Sequence, residues 1–361
     1  MKVLHYVDCA SLSWAVPYVA HMKALASLGI QQVLLCRPGG ELVRVAQENG
    51  IPVRTWRPLA AALPLLSPGF VRIAKELSPD LIHTRLLSAA GIAGTWRSFL
   101  GIPAVATFDK PGKAKYYKNI DHYISCAHWL KQYMSQHEGL PAGKIDVVHN
   151  PADTARFAGS GSSRKEARTL LNIADGEVLI SGMGLYIHRK GFDVLLRAFA
   201  KLCPEQGNLR LALIGGGGDQ RGTYLKLADE LNVRDKLLMP ESFVEDVRPW
   251  LWASDIFAMP SREEGFSIAL LEALAAGLPT VASDIAPFTE IIQDGENGLI
   301  ARRDDAEDFA RALRRLLDMN MEQRDQLVQN AQRIISDFTP EAVARQTLAV
   351  YQKVLGLGQN A

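Results

Sequence analysis

An α/β protein built as two doubly wound domains is what this sequence predicts, and three observations predict it. Short runs of β-branched and aliphatic residues alternate with helix-like stretches along the chain. The alternation is interrupted once, by the Gly- and Ser-rich run "NPADTARFAGSGSSRKEA" at 150–167, which reads as a linker. A chain of 361 residues is also too long for one ordinary core.

In order, the strand-like runs of the first half are "VLHYV" (3–7), "QVLLC" (32–36), "PVRTW" (52–56), "LIHT" (81–84), "AVATF" (104–108), "HYIS" (122–125) and "IDVVH" (145–149). Helix-like stretches at 16–28, 70–78, 86–99 and 127–138 lie between them. The N-terminal "MKVLHYVDCA" has one Lys and a short apolar run interrupted by His5 and Asp8, so it reads as a first strand and not as a signal peptide. The apolar run "LAAALPLLSPGF" (59–70) is broken by Pro64 and Pro68 and falls short of the roughly 20 residues of a spanning helix. After the linker come "VLISGMG" (178–184), "RLALIG" (210–215), "KLLMP" (236–240), "DIFAMP" (255–260), "PTVAS" (279–283) and "GLIAR" (298–302), again with helices between them. The stretch "PEAVARQTLAVYQKVL" (340–355) closes the chain as a helix, with Thr339 as cap and Pro340 in its first position. A fold of this kind places its ligand in the cleft between the domains, at strand C-terminal ends.

Composition excludes several classes. At 48% hydrophobic and 22% charged residues with no low-complexity tract, the chain is a soluble globular protein. Its net charge of +1 hides an asymmetry: 16 Lys and Arg face 10 Asp and Glu in residues 1–155, and 24 face 29 thereafter. A basic first half suits an acidic acceptor or an anionic membrane surface as partner, with ordinary surface charge as the alternative; no nucleic-acid partner is expected. The segment "DKPGKAKYYKN" (109–119), with four Lys and two Tyr, fits the same two readings or a solvated loop. Cys9, Cys36, Cys126 and Cys203 are scattered without a CxxC pair, which suits a reducing compartment. A cytoplasmic location is expected, at most peripheral on the inner face of the plasma membrane. The eight His residues form no ligand-like cluster, and His122 and His128 fall on different elements; no metal site is expected.

Three segments carry the chemistry. "SGMGLYIHRKG" (181–191) follows a strand and precedes a helix, so Gly184 lets the backbone approach a ligand while Arg189 and Lys190 supply charge for a diphosphate. "IGGGGD" (214–219), with Gly215 at its strand end, lacks the GxGxxG spacing and is equally well a tight turn. "EEGFSIALLEALAAGLPTVASD" (263–284) holds Glu264 in a loop and Glu272 eight positions on, inside an apolar helix capped by Ser267. A carboxylate in that setting needs donors, and two adjacent sugar hydroxyls would satisfy both oxygens. The alternative is a helix-start Glu paired to an Arg.

The last segment resembles the E-x7-E signature of the family 4 retaining glycosyltransferases. "HRKG" resembles that family's phosphate-binding turn, "DHYISCAHWLKQYM" its D-x-hydrophobic-x-x-S strand and helix, "HNPADTARF" its entry to the linker, and "DGENGLIARRDDAEDFARAL" its dGxNG segment. The likeness spans about residues 80–355. It implies the GT-B fold: two Rossmann-like domains with a cleft between them, residues 1–155 binding the acceptor and 156–339 the nucleotide sugar, with about 340–361 returning to the first. It implies that Arg189 and Lys190 bind the donor diphosphate, that Glu272 takes the ribose hydroxyls and that Glu264 contacts the transferred sugar. Gly184, Gly215, Gly265 and the amides of Phe266, Ser267 and Ile268 would line the donor. The donor is by default a UDP-hexose, used as co-substrate with no cofactor or metal. The acceptor is a glycan or lipid-linked glycan of lipopolysaccharide or another surface polysaccharide.

The chain departs from the family pattern at three places. Leu185 stands where an Arg is common, so Arg189 is expected to take over its role. "DCASLSWAVPY" (8–18) replaces a Gly-Gly turn. Asp109 stands where a His is common, which suits an acceptor hydroxyl or a cationic group such as an amino sugar, with a structural pair to the neighbouring Lys110 as the alternative. No protein nucleophile stands out, consistent with a leaving diphosphate that takes the acceptor proton while positioning and charge stabilisation do the rest. "RDD" (303–305) reads as a helix cap. The competing readings are a sugar-nucleotide epimerase, which would need an acid–base pair, and a non-catalytic GT-B subunit, against which Glu264, Glu272, Arg189 and Lys190 argue. A nicotinamide dehydrogenase lacks its fingerprint.

Overall fold

The computed structural model describes residues 1–10, 14–59 and 63–357. Residues 11–13 of the 8–18 segment, residues 60–62 of the 59–70 run and the last four residues of the chain therefore lie outside the described residues. The chain divides into two compact units: Met1–Asp153 with Asp337–Ala361, and Thr154–Ser336.

The first unit holds β1 (Lys2–Val7), β2 (Gln31–Cys36), β3 (Val53–Thr55), β4 (Leu81–Arg85), β5 (Ala104–Phe108), β6 (His122–Ser125) and β7 (Ile145–Val147). They form one parallel sheet in the order β3-β2-β1-β4-β5-β6-β7. The strand order reverses between β1 and β4, whose ends are level, with Val7 opposite both Cys36 and Arg85. Every residue of β4, β5 and β6 is buried, as expected for a parallel sheet covered on both faces. The closing helix Pro340–Val354 is part of this unit. The Thr339 hydroxyl accepts the Ala342 N–H to cap it, and Val343, Ala344, Val350 and Tyr351 pack with Val3, Leu25, Leu81 and Val105.

The second unit holds β8 (Val178–Gly184), β9 (Leu209–Gly215), β10 (Leu237–Leu238), β11 (Ile256–Met259), β12 (Thr280–Ser283) and β13 (Leu299–Ala301), parallel in the order β10-β9-β8-β11-β12-β13. The helix Phe192–Leu202 packs Phe192, Leu195 and Phe199 into a core shared with Leu211, Leu213, Ile256, Phe309 and Leu313. Here the order reverses between β8 and β11, so the loops leaving those two strands are neighbours.

One expectation is corrected. The segment read as a linker holds the short helix Thr154–Phe157 and a longer one, Gly161–Leu170. The small residues that suggested flexibility are a cap and a first turn: the Ser160 hydroxyl accepts the Ser163 N–H at 3.2 Å. The helix is then pinned by Arg164 and Arg168, which reach Asp255 at 2.6 and 3.2 Å. Asp305 does cap the helix Ala306–Asp318, accepting from the Asp308 N–H. No helix among the described residues is long and apolar enough to cross a membrane.

Candidate active site

β8 runs through Leu185–Ile187 into a single 3-10 turn, His188–Lys190, and Gly191 then opens the helix Phe192–Leu202. Gly191 sits at φ +67, and a Cβ there would lie 2.0 Å from the carbonyl oxygen of Pro260, just beyond β11. Only glycine allows the two loops into backbone contact, and the Arg262 N–H donating to the Arg189 carbonyl at 2.8 Å joins them. Gly184 acts similarly: a Cβ there would come within 3.0 Å of Lys190 Cε, so its absence lets the lysine stem fold across the strand end.

These contacts aim Lys190 at the loop from β11. Lys190 Nζ donates to Glu264 Oε1 at 2.5 Å, and the Ser261 hydroxyl donates to the same oxygen at 3.0 Å. Arg189 stands further out, 4.0 Å from Glu264 Oε2. The lysine and the glutamate are largely buried, at 12% and 7% exposure, whereas Arg189 is 48% exposed. Reading the chain places Lys190 and Glu264 at different parts of a donor; the fold bonds them to each other across 74 positions.

Past Glu264 the chain enters the helix Ile268–Ala275. The buried Ser267 caps it by accepting the Leu270 N–H at 3.2 Å, so the hydroxyl of Ser267 is committed to the cap. Glu272 lies one and a half turns in. Burial pushes its carboxyl up to about 8, and the Arg156 guanidinium pulls weakly the other way. Arg156 comes from the helix Thr154–Phe157, which packs on this one. No described residue donates a hydrogen bond to the Glu272 carboxylate.

The glycine run acquires a packing reason. A Cβ on Gly215 would lie 2.0 Å from the Gly184 carbonyl oxygen, on Gly216 2.5 Å from Phe243 Cα, and on Gly218 2.3 Å from the Tyr186 carbonyl oxygen. The Gly215 carbonyl already accepts from the Val244 N–H and that of Gly217 from the Tyr186 N–H. The run welds the end of β9 to the end of β8.

In the first unit Asp109 follows β5 and is not neutralised by Lys110, which is exposed. Its partners are two residues that sequence reasoning missed. Asn150 Nδ2 donates to Asp109 Oδ1 at 3.1 Å, Arg85 Nη2 donates to Asn150 Oδ1 at 2.9 Å, and Arg85 Nη1 lies 3.4 Å from Asp109 Oδ1. Arg85 is 6% exposed, its guanidinium stacked over the rings of Trp14 and Tyr18 at 4.9 and 5.1 Å. The next residue, Leu86, holds φ 76 and ψ 148, a strained backbone for a branched side chain. The only sequence signal was position: Arg85 and Asn150 each directly follow a strand-like run, 81–84 and 145–149.

Comparison with known proteins accords with this arrangement. Residues 19–156 match the family model described as Glycosyltransferase Family 4, and residues 163–334 the one described as Glycosyl transferases group 1. The lipopolysaccharide core biosynthesis glycosyltransferase LpsE of Rhizobium meliloti is 27% identical over 346 residues, covering 95% of this chain and 96% of the relative. A D-inositol 3-phosphate glycosyltransferase of Nocardia farcinica is 34% identical over 190 residues, covering 50% of this chain and 41% of the relative. Among solved structures, HepE of Anabaena in complex with UDP superposes with a TM-score of 0.86 at 18% identity, over 98% of this chain and all of that one. With both units matched in turn, the chain belongs to the family 4 and group 1 glycosyltransferases, with the GT-B fold.

Proposed function

We propose that this glycosyltransferase moves a hexose, with retention, from a UDP-sugar to a glycan or lipid-linked acceptor in the synthesis of lipopolysaccharide or another surface polysaccharide. The full-length likeness to LpsE supports the pathway class, and the likeness to HepE, solved with UDP and with UDP-glucose, supports the donor. In this reading the bond from the sugar C1 to the diphosphate breaks, a bond to the acceptor oxygen forms on the same face, and the acceptor proton passes to the departing diphosphate. Lys190 and Arg189 hold that diphosphate and supply its countercharge, so no metal is invoked. Glu264, released from Lys190 as the phosphate takes the lysine, turns to the hydroxyls of the transferred sugar. Gly184, Gly265 and the amides of Phe266, Ser267 and Ile268 line the donor.

The observation that carries the reading is Glu272: a half-buried carboxyl in an otherwise apolar helix, with no hydrogen-bond donor among the described residues. Such a group is costly unless a ligand completes it, and two ribose hydroxyls do so. They favour the ionised form, whereas the empty site keeps the carboxyl protonated up to about pH 8. UDP affinity should therefore fall as pH falls, by roughly tenfold or more from about pH 8.5 to about pH 6.5. Glu272→Gln should abolish that dependence and weaken UDP by about 1.5–3 kcal/mol, while a 2′,3′-dideoxy donor is insensitive to both. Because the folded carboxyl titrates above its unfolded value, it costs stability above about pH 4.5, so the same variant should melt higher at neutral pH. Equal weakening of both donors would make the carboxylate structural.

Asp109 belongs to the acceptor side. With Arg85 already offsetting its charge, it suits a neutral hydroxyl better than a cationic amino sugar. Asp109→Asn should leave UDP affinity and melting temperature nearly unchanged and cut transfer by about tenfold or more. Normal transfer would place it outside the site.

A further inference from the structure

Within the two loops of the donor site lies a second arginine to which the reaction as described gives no task. Arg262 follows Ser261 in the loop from β11 and is only 15% exposed. Its Nη1 and Nη2 grip both oxygens of Asp193 at 2.8 Å each, in the first turn of the helix Phe192–Leu202. Nη1 also donates to the His188 carbonyl at 2.7 Å, and Nε to Asp304 Oδ1 at 2.5 Å, in the loop after β13. Asp304 itself holds a left-handed backbone, φ 62. With its own N–H on the Arg189 carbonyl, Arg262 ties four segments together: the His188–Lys190 turn, the helix that follows it, the Glu264 loop and the loop after β13.

We propose that Arg262 is a positioning residue for the donor diphosphate: it fixes the turn bearing Arg189 and Lys190 against the loop bearing Glu264. The proposal rests on the diphosphate reading of Lys190 given above. The reasoning is geometric. Lys190 and Glu264 belong to separate loops; Gly191 and Gly184 permit the close approach, but a glycine holds nothing in place. A 3-10 turn of three residues is a weak element by itself. A planar guanidinium with five donors can hold a carbonyl and two carboxylates at fixed angles, which a lysine ammonium cannot. The Arg262 fork therefore decides where Lys190 Nζ stands before any ligand arrives, so that a phosphate meets a charge already in place.

The test is UDP titration by calorimetry on the full chain, with melting temperature followed in parallel. Arg262→Gln should weaken UDP by about tenfold or more. Arg262→Lys keeps the charge, loses the fork and should not restore affinity. In a Lys190→Ala background, Arg262→Gln should add less than about a twofold further loss, because the buried charge it positions is gone and only the 48% exposed Arg189 remains on the turn. A merely structural arginine would instead weaken binding by the same factor in both backgrounds, in step with the loss of melting temperature, and would be rescued by Lys. Either that pattern or wild-type affinity in Arg262→Gln overturns the proposal. If Arg262→Gln does not fold, Asp193→Asn, which loosens one arm, carries the same cycle with an expected loss of about threefold; an unchanged affinity there also overturns it. Lys190→Ala binding UDP as tightly as the wild type would overturn the diphosphate reading itself, a result distinct from failure of Arg262 alone.

Discussion

Lys190→Ala is expected to lower turnover by roughly a hundredfold or more at saturating donor, the scale of losing one preorganised charge contact to a developing anion. Two features set the size of the effect. Lys190 is held in a site largely closed to water, at 12% exposure, where a charge acts more strongly than on the surface. Its nearest substitute, Arg189, is 48% exposed and 4.0 Å from the same carboxylate, so it covers only part of the loss. The variant also strands Glu264, 7% exposed, with Ser261 as its remaining close donor. The melting temperature should drop as a result, since removing one partner of a buried pair leaves an uncompensated charge. The core of the second unit, built on Phe192, Phe199, Leu211 and Phe309, does not use Lys190, so the fold should persist. Steady-state transfer and thermal melts check both halves, and unchanged turnover would remove Lys190 from the chemistry.

The second large effect is on stability. Three histidines of the first unit are exposed by 3% or less, His5 on β1, His83 on β4 and His21 in the helix Ala15–Ser27, and a fourth buried one, His122 on β6, bonds Asp146 Oδ2 through its Nε2 at 2.8 Å. His83 Nδ1 bonds the Tyr351 hydroxyl at 2.5 Å and its Nε2 the Thr107 hydroxyl at 2.7 Å. His21 Nε2 bonds the Thr347 hydroxyl at 3.1 Å, and His5 Nδ1 the Tyr18 hydroxyl at 3.2 Å. Two of these bonds fasten the closing helix Pro340–Val354. Burial first, and the Arg85 guanidinium second, lower His5 to about 3. Burial, with Arg85 and neighbouring histidines, also holds His21 and His83 well below 6.5. The unfolded chain takes up protons below about pH 6.5 that the folded chain refuses, so stability is lost as pH falls through that value and continues to fall toward about pH 3. His5 alone costs about 1.4 kcal/mol per pH unit in that range, so at least about 1.4 kcal/mol is lost by about pH 5.5, and His21 and His83 add losses of the same sign. Carboxylates held low by ion pairs, such as Asp146 and Asp193, enter only below about pH 4. Denaturant unfolding followed by tryptophan fluorescence, at pH 7.5 and 5.5, should show the first unit weakening by that amount. A change under about 1 kcal/mol would mean that the histidines titrate normally.

The strands were legible because each is a local pattern: all thirteen among the described residues fall on runs that the sequence marks, from "VLHYV" to "GLIAR". So were the caps at Ser267, Asp305 and Thr339, where a side chain and an amide three residues on belong to one stretch of chain. The helix Gly161–Leu170 was missed because its Gly and Ser composition resembles a linker, and its anchor, Asp255, lies far along the chain. The candidate donor residues were visible singly, through the spacing of Glu264 and Glu272 and the Arg189–Lys190 pair. Their relations were not. The Lys190–Glu264 bond, the Arg262 fork, the triangle of Arg85, Asp109 and Asn150, and the histidines bonded to the closing helix all join distant segments. By itself the sequence determined the elements, their caps and the residue types able to meet a diphosphate and a ribose, because those depend on neighbours within a few positions. Only the tertiary structure decided which charges meet. That depends on which parallel strands lie side by side where β1 meets β4 and β8 meets β11, and on glycines such as Gly191 and Gly184 that let separate loops approach within bonding distance.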